Sequence, residues 1–264
     1  MKIYIRRILS LTIALLCAVS ALNAQELDKG EALDLLKKTD SNTSFVGVDF
    51  SANYSLVQDK PGQGKTYKTA IIYRRDAISA YTILLTGPAS DKGKGYVQYD
   101  NNIWFYDPAD EQFVFTSAKD KFEGTNINNA DFAPQHFSDE YEIKSAKKVT
   151  LGKLDCVVFE LSATAKSAIY PALKIWVTQE DGLLRKKEDY SLSGQLLRTT
   201  AIPSYQLISG RSVPSKMLVV DNLRGKKIDG KMQYEQTQVT ITNVSFAKQR
   251  DMVYTQKYVE MMSK

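Results

Sequence analysis

The feature that most constrains the fold is a run of strict alternation between apolar and polar residues. From Val46 to Leu56 every second side chain is apolar, and Gly, Asp, Ser or Asn fills each position between. A period of two places all the apolar side chains on one face of an extended strand, whereas a helix would scatter them. The run therefore predicts a long strand with one face buried and the other toward water.

The same pattern returns along most of the chain, in segments joined by short turns. Pro61-Gly62-Gln63-Gly64, Asp181-Gly182 and Ser193-Gly194 are turn sequences that link consecutive strands into hairpins. Hairpins produce antiparallel pairing, so the chain is predicted to be mainly β with a few helices. The other predicted strands are Thr66–Arg75, Ile78–Thr86, Gly95–Tyr99, Ile103–Tyr106, Gln112–Thr116, the segments around Val157–Leu161 and Leu173–Val177, Leu183–Ser191, Gln195–Ile208, Val213–Asp221 and Met232–Phe246.

Two helices and one long loop complete the predicted architecture. Leu27–Thr39 places three leucines near one stripe and is predicted to be a short amphipathic helix, and Tyr254–Met262 is predicted to be a closing helix. Between the two series of strands, Ala118–Tyr141 is polar and lacks the period of two, with a helical turn expected at Asp131–Phe137. Loops of this length are usually functional. No repeat or linker divides the strands, so residues 25–264 are predicted to form a single domain.

The first 24 residues have the composition of a secretory signal peptide. Lys2, Arg6 and Arg7 form a positive start, and Ile8–Leu16 is an apolar run too short to span a membrane. Ala21-Leu22-Asn23-Ala24 then offers small residues for cleavage. Residues 1–24 are therefore predicted to be removed during export, which leaves a mature chain of about 240 residues.

The two cysteines predict no disulfide within the exported chain. Cys17 lies in the apolar run, where acylation is the alternative to signal-peptide cleavage, but Leu15-Leu16 lack the small residues that acylation favours. Cys156 is then the one remaining thiol, and its strand pattern indicates a small buried hydrophobic residue. The fold must therefore be stabilised by its core.

The charge of the mature chain excludes one class of partner. The full chain has a formal net charge of +5, of which the signal peptide supplies three, leaving about +2. A nearly neutral domain lacks the basic footprint of a nucleic-acid-binding protein.

The residues that usually carry catalysis or hold metals are sparse. His136 is the only histidine, and no Gly-x-Ser-x-Gly motif accompanies it. One histidine and Cys156, 20 residues apart, do not form a metal cluster. Gly62–Thr66 resembles a phosphate-binding loop, but Asp59 stands where its first glycine belongs. Paired carboxylates remain open, because such partners can lie far apart in a chain. The sequence thus predicts no enzyme and no cofactor.

The hairpin around Asn101–Ser117 departs from the alternating pattern. Ile103–Tyr106 is apolar at every position, so both faces of this strand need a cover. One interpretation is plain core, with Trp104 and Tyr106 packed under the loop Ala118–Tyr141. The other is that one face lines a cavity that an apolar ligand fills.

Four segments carry motifs of a known family. Asn102–Pro108 is similar to a "W-x-Y-x-P" hairpin, Gly124–Phe132 with Asp139–Tyr141 to a "G-S-D-F … D-Y" loop, Leu173–Thr199 to an "lW-V … G-l-p-l-r … y-d-x-x-G-x-l-l-r-x" run, and Val213–Met217 to a "P-x-x-M" strand. These motifs resemble those of the LolA-like carriers, the periplasmic outer-membrane lipoprotein-sorting proteins, and the resemblance runs across most of the mature chain.

The resemblance implies a strongly curved, unclosed antiparallel β-sheet, a half-barrel, wrapped over helices around an apolar cavity. The implied function is that of a periplasmic carrier in a Gram-negative bacterium, which shuttles acyl chains of lipoproteins or lipids toward the outer membrane. Its implied partners are an inner-membrane exporter and an outer-membrane acceptor. The alternative is a lipid-binding or sensor domain on the same scaffold that transports nothing.

The side chains expected to line this cavity are the apolar ones on the presumed inner face of the strands. They are Phe50, Tyr54, Ile72, Leu84, Ile103, Phe105, Phe113, Phe115, Phe159, Ile175, Met217 and Val219. Four basic residues are candidates for binding anionic head groups or a partner: Arg74, Arg75 and the pair Lys186-Lys187. The alternative is that they lie on strand faces exposed to water.

Overall fold

The computed structural model describes residues 25–264, so the predicted signal peptide and Cys17 lie outside the described residues. None of the described helices is long and apolar enough to cross a membrane. The helices are α1 (Lys29–Thr43), α2 (Phe137–Glu140) and α3 (Gln256–Met262), and the strands are β1 (Phe50–Lys60), β2 (Gly64–Arg75), β3 (Ala80–Gly87), β4 (Gly95–Tyr99), β5 (Asn102–Asp107), β6 (Gln112–Thr116), β7 (Tyr141–Leu151), β8 (Leu154–Ala163), β9 (Ala172–Thr178), β10 (Leu184–Tyr190), β11 (Leu196–Ile208), β12 (Arg211–Ile228) and β13 (Lys231–Ser245).

These 13 strands form one sheet in the order β6-β5-β4-β3-β2-β1-β13-β12-β11-β10-β9-β8-β7. Every neighbouring pair is antiparallel, as the hairpin turns predicted. The edge strands β6 and β7 do not pair with each other, so the sheet stays open. The predicted mainly β fold, an unclosed antiparallel half-barrel over helices, is confirmed.

The strand order dictates where the long loop lies. Because β6 and β7 are consecutive in the chain but stand at opposite edges of the sheet, the segment between them has to cross the half-barrel. It does so over the concave face, where Phe122, Ile127 and Phe132 pack into the same cluster as side chains of β1 to β5, β12 and β13. We call residues 118–136 of this segment the plug.

Helix α1 covers the other half of the concave face. Asp28 caps its first turn by accepting hydrogen bonds from the N–H groups of Gly30 and Glu31, at 2.8 and 3.0 Å. Ala32 and Leu36 pack against strands β7 to β11. Leu33, predicted to share the apolar stripe, is 37% exposed, because three leucines within a single helical turn point in different directions and cannot all face the sheet.

Helix α3 packs on the convex face. Val259, fully buried, contacts a cluster that contains Leu84, Tyr106 and, at its edge, Trp104. The hairpin that is apolar on both faces is therefore covered on both: Phe105 packs in the concave cluster, and its neighbours Trp104 and Tyr106 pack in the convex one. The interpretation that Trp104 and Tyr106 lie under the long loop is wrong.

Two predicted strands begin later than expected, and one strand was not predicted, each for a local reason. Residues 46–49 continue the alternation but form a turn, with Gly47 at φ +90°, so β1 begins only at Phe50. Asp76–Ile78 is a short 3-10 helix rather than the start of a strand. Tyr141–Leu151, left without a strand prediction, is the edge strand β7, and a register shift between Ile143 and Ser145 interrupts its period of two.

Candidate functional site

The concave side of the half-barrel holds two adjoining cavities, of about 430 Å³ and about 100 Å³. We call them the large and the small cavity. They share a wall made by the side chains of Arg74, Asp131, Ala133, Gln135 and Lys187. Three of these five residues belong to the plug, so the plug both covers the interior and divides it.

The two cavities differ in chemistry. Phe50, Tyr54, Met217 and Ile241 give the small cavity an apolar wall. The large cavity mixes apolar side chains such as Ile103 with the charged groups of the shared wall. Its volume falls in the range of about 300–1,000 Å³ that is usual for small-molecule sites, whereas the small cavity is smaller than the ~150 Å³ void that holds a benzene molecule.

Nine of the twelve residues predicted to line the interior face the concave side. Among them, Phe50, Tyr54 and Met217 border the small cavity and Ile103 borders the large one. The others pack as core: Ile72, Phe105 and Val219 in the cluster with the plug, and Phe159 and Ile175 beneath α1. Contact with a ligand stays a prediction for all nine.

Three of the twelve were assigned to the wrong face. Leu84 and Phe113 belong to the cluster around α3. Phe115 is largely exposed with its ring against Trp104 on the convex side, although the residue also borders the large cavity at the edge of the sheet. In the β5–β6 hairpin Phe105 pairs with Val114, which turns the two phenylalanines of β6 outward. A one-residue change of register moves every side chain to the other face.

The basic candidates separate in the same way. Arg75 and Lys186 face the convex side: Arg75 forms a two-bond ion pair with Asp49 at 2.8 Å, and Lys186 an ion pair with Glu188 at 2.7 Å. Arg74 and Lys187 face the interior and border both cavities.

Aromatic side chains of the plug occupy the centre of the interior. The ring of the fully buried Phe122 lies 5.0 Å from that of Tyr96 and 4.9 Å from that of Phe132. Phe132 in turn lies 6.0 Å from Tyr54 in an edge-to-face arrangement. The plug thus fills, with its own apolar groups, space that the curved sheet encloses.

Polar contacts fasten the plug to the sheet. Lys121 Nζ lies 2.6 Å from Asp221 Oδ2 of β12, and the main-chain N–H of Asn126 donates to Thr237 Oγ1 of β13 at 2.8 Å. The Tyr96 hydroxyl of β4 also donates to Glu123 Oε1 at 2.7 Å, and the Gln135 N–H donates to Thr43 Oγ1 of α1 at 2.9 Å. The plug is thus held by individual side-chain contacts and takes no part in the strand ladders.

A buried ion cluster also holds the plug to the sheet. Arg198 of β11 donates to both carboxylate oxygens of Asp131 in the plug, at 2.5 and 3.0 Å, and through Nε to Asp189 Oδ2 of β10 at 2.7 Å. The guanidinium also lies 5.3 Å from the ring centre of Tyr170, whose hydroxyl accepts a hydrogen bond from the Asn128 side chain at 2.8 Å. Asp131 therefore links the plug to the centre of the sheet.

The surroundings of Asp131 lower the pKa of its carboxyl. Burial alone would raise this pKa, but the positive charges of Arg198 and Lys187 and the hydrogen bonds from Arg198 and the Asn128 N–H outweigh burial. Burial alone would lower the pKa of Arg198, and the two aspartates raise it. Both groups are charged at neutral pH, and the cluster keeps its ion pairs there.

Acidification is expected to weaken this fastening. The folded-state pKa of Asp131 lies below the ordinary value of about 3.9, so the contact stabilises the fold above about pH 4 and is lost as the pH falls through the lowered folded-state pKa. The free energy of unfolding in urea should therefore drop less between pH 7 and pH 3 in Asp131→Asn than in the wild type. Asp229→Asn, at an exposed turn, is the matched control and should behave as the wild type. An equal drop in Asp131→Asn would contradict the assignment.

Several polar groups in the interior have no hydrogen-bond partner among the described residues. They include Gln58 Nε2, the side-chain nitrogen of Asn126, Thr200 Oγ1 and Asp189 Oδ1. Unpartnered buried polar groups are rare in a finished core, because each costs about 1–3 kcal/mol. The interior under the plug is therefore not optimised as a permanent core.

No catalytic or metal-binding arrangement is found in residues 25–264. His136 is exposed at the rim of the large cavity, and no group of three or more histidine, cysteine or acidic side chains is placed to hold a metal ion. Cys156 is buried against Trp176, away from both cavities, and burial raises the pKa of its thiol to about 11.

The sequence and the fold were compared with known proteins. A family model described as "Uncharacterized protein" matches residues 79–261. The chain belongs to that family. No curated protein matches the sequence.

Solved structures show which fold this family member has. A LolA superfamily protein from Nitrosomonas europaea is 22% identical with a TM-score of 0.71, covering 86% of this chain and 98% of that one. A domain from Vibrio parahaemolyticus assigned to outer membrane lipoprotein sorting is 14% identical with a TM-score of 0.73, covering 86% and 97%. A DUF1329 family protein from Desulfovibrio piger is 18% identical with a TM-score of 0.73, covering 89% and 100%. The half-barrel therefore has the LolA fold, which confirms the resemblance at the level of the fold.

Sequence reasoning missed the buried ion cluster beneath the plug of this LolA-like half-barrel. The strand Leu184–Tyr190 is almost entirely charged, and its inward-facing positions carry Lys187 and Asp189. A strand with charges at the positions that face the core needs an ionic partner inside, and this signal could have been used. The partners Arg198 and Asp131 stand on other elements, so their identity required the structure.

Proposed function

We propose that this protein is a periplasmic carrier that binds acyl chains of lipids or lipoproteins inside the half-barrel and carries them toward the outer membrane. One observation supports this above all: the apolar concave face is covered by a crossing segment that belongs to no strand ladder, with two cavities beside it. A carrier breaks no bond, so it needs no catalytic residue.

The free energy gained by burying an acyl chain is close to the free energy lost when the plug leaves the interior, which suits reversible binding. A chain of about 15 methylene groups gains about 12 kcal/mol on leaving water, at about 0.8 kcal/mol for each group. Displacing the plug exposes Phe122, Ile127 and Phe132, which are among the most buried side chains of the protein. That exposure costs about 4.5–9 kcal/mol, and each lost polar contact about 1 kcal/mol more. The two sides nearly balance, which lets a carrier both take up and release its cargo.

The volumes indicate that the structure is the closed state. The small cavity is smaller than a benzene-sized void and takes at most a few methylene groups. A long acyl chain that enters the apolar small cavity therefore requires that the plug moves out of the interior. The strand order favours this motion, because the plug is a connection between strands and its departure breaks no strand pairing.

A charge placed in the small cavity is expected to abolish acyl-chain binding. Met217 of β12 borders this cavity, and its neighbour Leu218 faces the convex side, paired with Gln238 rather than with the buried Val239. In Met217→Glu the acyl chain of the probe can bind only if the new carboxylate loses its hydration. The affinity for a fluorescent fatty acid should therefore fall by at least about tenfold. Leu218→Glu, with both side chains half-buried in the wild type, is the matched control and should keep the wild-type affinity.

The measurement is a fluorescence titration at pH 8, together with a urea unfolding curve of each variant. Equal affinities in Met217→Glu and Leu218→Glu would refute the proposed site. Transfer of the probe between donor and acceptor vesicles separates a carrier from a sensor domain. A protein that binds the probe without accelerating transfer has the alternative function.

A further inference from the structure

Lys187 stands out among the charged residues of the interior. It lies in the middle of β10, faces the concave side and is only 7% exposed. It borders both cavities, at the wall that they share. Directly opposite on β11 lies Thr200, which is 5% exposed and borders the small cavity.

Both side chains have hydrogen-bond donors that the protein leaves open. Lys187 Nζ forms an ion pair with Asp189 Oδ1 at 3.3 Å, and this oxygen has no hydrogen-bond partner among residues 25–264. Thr200 Oγ1 likewise has no partner in that part of the chain. An ammonium group carries three donors, so a single ion pair leaves part of its hydrogen-bonding capacity open toward the cavities.

Two of the interior carboxylates are engaged by arginines, and a third, Asp189, faces Lys187 with its Oδ1 and Arg198 with its Oδ2. Both oxygens of Asp131 accept hydrogen bonds from Arg198. Both oxygens of Asp76 accept from Arg74, the other cation of the shared wall, at 3.0 and 2.7 Å. Beside the ion pair with Asp189, the junction of the cavities offers the remaining donors of an ammonium group and the hydroxyl of Thr200, which an anionic oxygen complements.

The geometry points to Lys187 and Thr200 as the anchor for an acidic head group, a carboxylate or a phosphate, of a single-chain amphiphile. This inference rests on the proposed function, since the chain of the same molecule enters the apolar interior beside Met217. The head group lies at the wall that the two cavities share, where Lys187 borders both cavities and Thr200 borders the small one.

The anchor narrows the class of cargo. The lipid anchor of a lipoprotein joins its acyl chains through esters and an amide and brings no acidic group to the junction. A fatty acid or a lysophospholipid does bring one. The inference thus selects acidic single-chain lipids over lipoprotein anchors as the cargo of this carrier.

The test uses a pyrene-labelled fatty acid and its methyl ester, titrated at pH 8 into the wild type and two variants. Lys187→Met removes the anchor and keeps most of the side-chain volume. Lys186→Met is the matched control, because Lys186 is the next residue of β10, faces the convex side and pairs with Glu188. The wild type should bind the acid about tenfold more tightly than the ester. Lys187→Met should bind both equally, at the affinity of the wild type for the ester, and Lys186→Met should keep the preference.

The outcomes separate this inference from the proposed function. If the wild type binds neither probe, the proposed function fails. If it binds both equally, or if Lys187→Met keeps the preference for the acid, the anchor is refuted and the carrier stands. Thr200→Val, nearly identical in shape, should reduce the preference about threefold, which supports the anchor even if Lys187→Met fails to fold. Inorganic phosphate, titrated alone by calorimetry, is the probe for a free anion. If it binds as tightly as the fatty acid, the inference of an amphiphile is overturned.

Discussion

Replacing Arg198 by methionine is expected to lower the free energy of unfolding by about 3–5 kcal/mol. The side chain of Asp189 is fully buried and that of Asp131 nearly so, and Arg198 forms ion pairs with both. Without the guanidinium two carboxylates lose their strongest hydrogen bonds in a place where water cannot replace them. A urea unfolding curve at pH 7 measures the loss.

The control for Arg198→Met is a substitution with the same change of charge. Arg224 is 62% exposed and lies 3.9 Å from Asp221, so Arg224→Met should change stability by no more than about 0.5 kcal/mol. Adding Asp189→Asn to Arg198→Met should recover part of the loss, since removing both charges is less costly than leaving one unpaired. If the two arginine variants lost equal stability, the buried cluster would not fasten the plug.

The overall fold could be predicted because its signals are local. The alternation from Val46 to Leu56 and the turns at Asp181-Gly182 and Ser193-Gly194 specify strands and hairpins without knowledge of distant residues. The antiparallel half-barrel follows from these signals together with the family motifs. The strand β7 was missed because its bulge between Ile143 and Ser145 breaks the local pattern.

The face on which a side chain lies was predicted less well, because it depends on where each strand begins. Leu84 was expected to face inward within a strand predicted as Ile78–Thr86, whereas Ile78 ends a 3-10 helix and β3 begins at Ala80. Phe113 and Phe115 depend on the length of the turn between β5 and β6. One residue more or less in the preceding loop decides which face such a side chain occupies. The alternation within the strand does not reveal the length of that loop.

The residues that pair in the buried ion cluster could not be identified from periodicity. Arg198 and Asp131 are 67 residues apart, and they meet because the topology sends the plug from one edge of the sheet to the other. The charges at the inward-facing positions of Leu184–Tyr190 indicate that an ionic partner is needed, but the alternation does not tell which residue supplies it. Long-range pairing of charges is a property of the assembled sheet.

Locking the plug to the sheet with a disulfide is expected to eliminate acyl-chain binding. The main-chain nitrogen of Asn126 lies 2.8 Å from Thr237 Oγ1. This contact places the two Cα atoms within the span of about 4.4–6.8 Å that a disulfide requires. In the oxidised double variant Asn126→Cys and Thr237→Cys the plug cannot leave the interior, so the open state is no longer populated. Binding capacity for the fluorescent fatty acid should then fall to the fraction of molecules that stays reduced, as counted by mass spectrometry.

The same protein after reduction is the control for this experiment. Dithiothreitol should restore the capacity, which separates the effect of the lock from that of the two substitutions. Cys156 does not interfere, because its thiol is buried and its pKa of about 11 keeps it protonated at pH 8. If the oxidised protein bound the probe at full capacity, acyl chains would have to bind with the plug in place. The cavities of about 430 and 100 Å³ would then be the whole site, and the exchange of plug side chains for cargo would be refuted.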